Sequence, residues 1–136
     1  MKRTILAVGL LALAGCATGP RTEPKLGARE AEQLEKALAG KVPGKPVSCI
    51  TSYDPSKLEV VGDHTLLYRV NKDLIYRNNL EGGCSGLSMG SALVMNRVLA
   101  TQYCRGDIAR AVDLQTRATT GSCALGDFIP YTPAGQ

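Results

Sequence analysis

Cys49, Cys84, Cys104 and Cys123 constrain this chain more than any other feature of its sequence. They stand 35, 20 and 19 residues apart. Structural zinc sites bring their ligands in close pairs such as C-x2-C, and thioredoxin-like redox sites need C-x-x-C. Neither spacing is present here. An even set of well-separated cysteines is a disulfide frame wherever the compartment is oxidising. Four cysteines allow three connectivities, and the sequence does not choose among them. The pairing expected here is Cys84 with Cys104 and Cys49 with Cys123, a short loop nested in a long one that ties the first β-strand to the last.

The size of the folded part makes such a frame necessary. The chain has 136 residues, with no Trp, one Phe and five Tyr. Once a leader and tether are set aside, the compact part has about 85 to 90 residues. A domain of that size buries only roughly 60% of its unfolded surface and is marginal by burial alone. Covalent staples are expected on physical grounds.

The amino-terminal residues supply the compartment. Lys2-Arg3 is a basic start, Ile5 to Ala14 is apolar, and Gly15-Cys16 follows. A short apolar core between a basic start and small residues defines a secretory leader. A membrane-spanning helix needs roughly 18 or more apolar residues, and Thr18-Gly19-Pro20-Arg21 does not continue one. Leu13-Ala14-Gly15-Cys16 resembles the lipobox of bacterial lipoproteins. That resemblance implies cleavage before Cys16 and lipidation of its sulfur, with palmitate-class chains anchoring the protein to a membrane. Ala17, rather than Asp, resembles the outer-membrane sorting pattern of enterobacterial lipoproteins.

The mature charge is small. The formal charge is +4, and two of the basic residues, Lys2 and Arg3, leave with the leader. The remaining Lys and Arg are scattered, whereas a nucleic-acid footprint needs a concentrated basic stripe. No nucleic-acid partner is expected.

After the anchor, Ala17 to Leu26 reads as an extended tether with Gly19, Pro20 and Pro24. Ala28 to Leu38 is rich in helix formers. Ala31, Leu34 and Leu38 share a face, Glu32 and Lys36 form an i,i+4 pair, and Gly40 is placed to stop the helix. Lys41 to Pro46 reads as a linker from its Pro and Gly content. Val47 to Thr51, Leu58 to Val61, Thr65 to Val70 and Leu74 to Arg77 then follow a β pattern, with turns at Gly62-Asp63 and Asn71-Lys72-Asp73. Gly82 to Gly86 is a loop, and Ser91 to Leu99 is expected as a strand. Gln102 to Cys104 is expected to pair with Asp107 to Leu114 about Arg105-Gly106. Thr119 to Ser122 reads as loop, and Leu125 to Tyr131 ends the fold. The expected fold is mainly β: a small disulfide-stapled antiparallel β-sandwich or barrel with one short N-terminal helix. The chain divides into a signal peptide (1–15), lipidated cysteine and tether (16–27), helix (28–40), linker (41–46), disulfide-stapled β domain (47–131) and tail (132–136).

Three motifs invite chemistry. Gly86-Leu87-Ser88-Met89-Gly90 matches the G-x-S-x-G nucleophile elbow. That elbow needs a large α/β sheet and a histidine later in the chain, whereas the single histidine, His64, precedes Ser88. His64 beside Asp63 reads as a turn residue. Arg105-Gly106-Asp107 spells an integrin-ligand tripeptide but reads as a turn with Gly at positive φ. Tyr53, Tyr68, Tyr76, Tyr103 and Tyr131 suit packing, with Tyr68 and Tyr76 expected as a cross-strand pair.

From Asn79 onward the chain resembles a family of small proteobacterial lipoproteins, a domain of unknown function. The residues that carry this are Asn79-Leu80, Cys84-Ser85-Gly86-Leu87, Cys104-Arg105-Gly106-Asp107 and Cys123 to Pro130. Cys49 and the Asp63 to Leu67 turn and strand extend the resemblance to roughly Val47–Tyr131. Tyr103 stands where an aliphatic residue is expected. The family carries no assigned activity, so no catalytic or binding residue transfers.

The expected function is that of a lipid-anchored cell-envelope protein, facing the periplasm from the outer membrane, with a non-catalytic binding or structural domain. Its expected partners are the membrane and another envelope protein. Two alternatives stand beside this reading. One is an inhibitor of lysozyme-like wall-degrading enzymes. The other is an enzyme of unrecognised type grouping His64 with Asp107, Asp113 or Ser88. No catalytic residue, cofactor or metal ligand is assigned.

Overall fold

The computed structural model describes residues 25–51, 54–96 and 101–135. The expected leader, Cys16 and most of the tether lie outside the described residues, as does Tyr53. Among the described residues the fold is mainly β and antiparallel, with one α-helix, α1 (Ala28–Ala37), and ten strands. The strands are β1 (Lys41–Pro43), β2 (Cys49–Thr51), β3 (Leu58–Val61), β4 (Thr65–Arg69), β5 (Ile75–Asn79), β6 (Ala92–Asn96), β7 (Gln102–Cys104), β8 (Ile108–Val112), β9 (Thr119–Ala124) and β10 (Phe128–Pro133). They form a five-stranded sheet in the order β1-β10-β5-β4-β3, a two-stranded ribbon β2-β7, and a three-stranded sheet β6-β8-β9.

Side-chain alternation along the large sheet builds two separate cores. Val61, Leu67 and Ile75 lie on one face, and the apolar stripe of α1 covers them through Leu34. Leu66, Tyr68 and Phe128 point the other way and meet Ile50, Tyr103, Ala109 and Ala111 from the smaller sheets. Strand β4 is therefore buried on both faces, and only its last residue, Arg69, is exposed. Two edge-to-face ring pairs fasten the second core. Tyr68 meets Tyr103 at 6.1 Å, and Tyr76 meets Phe128 at 6.4 Å. Tyr68 and Tyr76 also stand opposite each other across β4 and β5.

Helix α1 ends at Ala37, with Leu38 as its C-cap, and the turn that follows runs through Gly40 at a φ of 71°. Its Lys36–Glu32 pair is largely exposed on both sides, so it contributes little beside the burial of Leu34.

The structure corrects five expectations. The disulfides are Cys49–Cys104 and Cys84–Cys123, not Cys84–Cys104 and Cys49–Cys123. The reason is strand partnership. β2 pairs with β7 in a register that sets Cys49 directly opposite Cys104, with Cα atoms 4.1 Å apart. Cys84 sits in the loop after β5, where the Glu81–Ala124 bridge brings it to β9 and Cys123. Second, β7 and β8 form no hairpin, because β8 pairs with β6 and β9 instead. Third, residues 119–122 are not loop but the start of β9. Fourth, the 41–46 segment is not a free linker. Lys41–Pro43 forms β1 on β10, and Gly44 N donates to the Pro130 carbonyl at 2.7 Å. Pro is tolerated there because an edge strand leaves half its amides unpaired. Fifth, the expected 132–136 tail begins inside β10, with Thr132 opposite Val42 and Pro133 opposite Lys41.

Candidate functional site

Of the residues singled out in the sequence, Asp107 and Asp113 stand at opposite ends of β8, whereas Asp63, His64 and Ser88 come together where the β3–β4 turn meets the loop after β5. The turn is held by its backbone and by one carboxylate. Cys84 N donates to the Asp63 carbonyl at 2.7 Å, and Leu80 N donates to the His64 carbonyl at 2.7 Å. Ser88 N donates to Asp63 Oδ1 at 2.8 Å. Asp63 is thus a staple between two loops. His64 lies over Gly83, whose φ of 69° and missing side chain admit the imidazole. The ring makes no hydrogen bond among the described residues.

Ser88 lies in a single 3-10 turn, Leu87–Met89, between two left-handed glycines, Gly86 and Gly90. Leu87 is buried and anchors the turn, while Ser88 and Met89 are exposed. No strand leads into this turn and no α-helix leaves it, so the geometry of a nucleophile elbow is not built. What the β3–β4 turn offers Ser88 is a carboxylate for its amide, not a base for its hydroxyl.

The aspartates considered with His64 are engaged in their own turns. Asp107, buried, accepts a hydrogen bond from Cys104 N at 2.8 Å. Asp113 Oδ1 accepts from Gln115 N and Thr116 N, both at 2.8 Å, in the β8–β9 turn. The bonds from Thr116, and then from Gln115, hold the Asp113 carboxyl below the ordinary carboxylate value. Asp54 is lowered in the same way, by the hydroxyl and then the amide of Ser56.

Arg105-Gly106-Asp107 forms a knot between sheets rather than a displayed loop. Gly106 N donates to the Leu125 carbonyl at 2.8 Å, and Leu125 N returns a bond to the Asp107 carbonyl at 2.9 Å. Arg105 N reaches the Ser48 carbonyl, and its guanidinium lies 3.4 Å from Asp127 Oδ1.

Two positioning devices were missed in the sequence. Asn78, 1% exposed, uses its side-chain amide as a piece of backbone: it donates to the Gly126 carbonyl at 2.7 Å and accepts from Gly126 N at 3.0 Å. Asn is depleted in strands, so Asn78-Asn79 inside a β pattern was the available signal. The second is Gly121, where an added Cβ would lie 2.5 Å from Ser85 N. That gap lets the Cys84 loop lie against β9. Thr120 Oγ1 then caps the Ser85 carbonyl at 3.0 Å.

The side chains of Asp63, Asn78, Asp107 and Thr120 therefore hold backbone groups in place around the two disulfides. Cys84 Sγ sits 3.8 Å from the Ala109 carbonyl oxygen. Small side chains at Ala109 and Ala111 leave room for the bridge in the core. Among the described residues, no three His, Cys, Asp or Glu side chains group to hold a metal ion, and no helix is long and apolar enough to cross a membrane. Open depressions flank α1, lined by Leu26, Leu34 and Leu38, and the end of the large sheet away from the β3–β4 turn, where β3 starts and β4 ends, lined by Lys57, Arg69 and Lys72. No protein-family model, curated protein or solved structure matches the chain.

Proposed function

We propose that this chain is a lipid-anchored cell-envelope protein whose small β domain serves as a non-catalytic binding or structural module. One observation carries the reading. The sequence has five cysteines, and four of them close on each other as Cys49–Cys104 and Cys84–Cys123. That leaves the thiol of Cys16, directly behind a leader-like segment, for thioether formation. Paired thiols also suit an oxidising envelope compartment. The resemblance of the Cys84, Cys104 and Cys123 segments to small proteobacterial lipoproteins points the same way.

Lipidation sets how firmly the domain is held. Each buried methylene contributes about 0.8 kcal/mol, one chain binds reversibly, and two or more hold stably. The Asp, Gly and Asn residues of the motifs are used to lock loops, which suits a rigid module presenting a surface.

The test is metabolic labelling of the full chain with an alkyne palmitate analogue, followed by envelope fractionation. The expected result is label in the membrane fraction that disappears in Cys16→Ser, with both downstream disulfides retained. An unlabelled cytosolic product still bearing Met1, with reduced cysteines, overturns the proposal.

A further inference from the structure

We propose that the pole carrying Met89 and Leu114 rests on the lipid surface to which Cys16 is anchored, with these two side chains inserted among the headgroups and upper acyl chains. The inference rests on the lipid-anchor reading and adds to it an orientation for the domain and a second membrane contact.

The two side chains stand apart from the rest of the apolar surface. Met89 is 84% exposed and Leu114 is 73% exposed, whereas the other exposed large apolar residues among those described, Val42, Val47, Val94 and Ile108, lie between 38% and 47%. They come from different loops at the same end of the β6-β8-β9 sheet. Met89 closes the 3-10 turn just before β6, and Leu114 sits in the turn just after β8. Ala92 and Val112 are register partners at that end. An aspartate holds each tip. Asp63 Oδ1 accepts from Ser88 N, and Asp113 Oδ1 accepts from Gln115 N and Thr116 N. The β8–β9 turn is closed further by Asp113 N, which donates to the Ala118 carbonyl at 2.9 Å, and by Arg117 N, which donates to the Asp113 carbonyl at 2.8 Å. Loops already fixed in this way lose little freedom on binding.

The route of the chain selects a lipid surface as the occupant. Helix α1 lies with its amino-terminal end at the β3–β4 turn. A Cβ at Gly62 would stand 2.8 Å from Glu30 Cγ, and farther along the helix Gln33 reaches Glu59. Asp63, next to Gly62, holds the Met89 turn through Ser88 N. The described chain therefore begins, at Lys25, on the same side of the molecule as Met89. Cys16 stands nine residues earlier, and that length of chain spans at most about 32 Å at full extension. Acyl chains on Cys16 thus keep this pole, rather than the opposite one, close to the bilayer. Charge agrees with this placement. Among residues 25–30, 62–63, 87–91 and 113–117, the exposed charged side chains are Lys25, Arg29 and Arg117, all basic, whereas Glu30, Asp63 and Asp113 are half-buried. Basic groups around an apolar tip suit anionic headgroups.

The test uses the full chain recovered from cell envelopes and reconstituted into vesicles of phosphatidylethanolamine and phosphatidylglycerol, with a photo-crosslinking residue at position 89, 114 or 72. Lys72, exposed in the β4–β5 turn, marks the opposite end of the large sheet. Positions 89 and 114 should yield lipid adducts by mass spectrometry at roughly ten times the level at position 72, and irradiation of intact envelopes should again capture lipid there. With the probe at position 115, Met89→Ser/Leu114→Ser should lower lipid adducts about tenfold. Because both side chains are exposed, that variant should keep both disulfides and the wild-type near-ultraviolet circular dichroism. The intact mass of the same sample reports the anchor separately. In a chain lipidated on Cys16, adducts at 89 and 114 no more abundant than at 72, adducts at 115 unchanged in the double variant, or capture of a protein in place of lipid overturns this proposal and leaves the anchor reading standing. A chain without lipid on Cys16 overturns both.

Discussion

Removing the two disulfides separately should not cost the same, although loop entropy alone says it should. The bridges span sequence separations of 39 and 55 residues, so the chain-entropy relation gives about 4 kcal/mol for each, with a difference of only ~0.3 kcal/mol favouring the longer Cys49–Cys104 loop. Burial decides the order instead. Cys84 is 0% exposed and Cys123 is 6% exposed, packed with Leu80, Leu87, Ala109 and Leu125. Cys49 is exposed on the β2-β7 ribbon. Cys84→Ala/Cys123→Ala therefore loses two core sulfurs as well, adding about 1 to 2 kcal/mol for the space left behind. A core this small places the domain near the low end of the usual range of about 5 to 15 kcal/mol; from there that variant should be largely unfolded near 37 °C, while Cys49→Ala/Cys104→Ala should keep a measurable folded population. Urea unfolding of both variants, followed by circular dichroism, compares them directly. Graded reduction of the native protein gives a second readout: Cys49–Cys104 should open first, with the fold retained, and Cys84–Cys123 only on unfolding. Equal losses, a larger loss for Cys49–Cys104, or simultaneous reduction of both bridges would refute the reasoning.

Asn78→Ala should lower stability by about 3 kcal/mol, since buried Gly126 N and O lose their partner and each unsatisfied group costs about 1 to 3 kcal/mol; a shift in urea midpoint checks it. Gly121→Ala should cost about 2 kcal/mol or more, and Ser85→Gly should not rescue it, because the clash at 2.5 Å and 2.6 Å is with Ser85 backbone atoms; thermal melts of the single and double variants decide this. Asp113 has a lowered carboxyl in the folded state. Its support of the β8–β9 turn is thus fully present above the ordinary carboxylate value and lost as pH falls through the folded value. An NMR titration should place its midpoint below that of an unstructured Asp, and amide exchange at Gln115 and Thr116 should rise in acid relative to neighbouring β8. Asp113→Ala should abolish that dependence.

The sequence disclosed the local structure well wherever periodicity was strong. Leu58 to Val61 and Thr65 to Val70 are legible as strands from their β-branched and apolar residues about the Gly62-Asp63 turn, and both Leu58–Val61 and Thr65–Arg69 are strands. The helical face of Ala31, Leu34 and Leu38 also served, with Leu34 as its buried residue. What was illegible was partnership. Neither the β2-β7 pairing nor the β8-β9 pairing leaves a mark in local composition, so the disulfide connectivity that depends on them could not be read. Thr119 to Ser122 looked like loop because small polar residues carry no apolar alternation. In the fold those residues are needed small, since Gly121 must admit the Ser85 backbone. Lys41 to Pro46 looked like linker because Pro and Gly punctuate free chain and edge strands alike. The motif residues were conspicuous, but their role as backbone staples appears only when Asp63, Asp107 and Asn78 are seen beside the amides they hold.

The most direct measurement is the intact mass and amino-terminal peptide of the protein recovered from envelope membranes without reductant. The account predicts a chain that starts at Cys16, carries the added mass of two or three fatty chains on that residue, and lacks four hydrogens because Cys49–Cys104 and Cys84–Cys123 are closed. A mass that includes Met1 to Gly15, with no lipid on Cys16 and four free thiols, would contradict it.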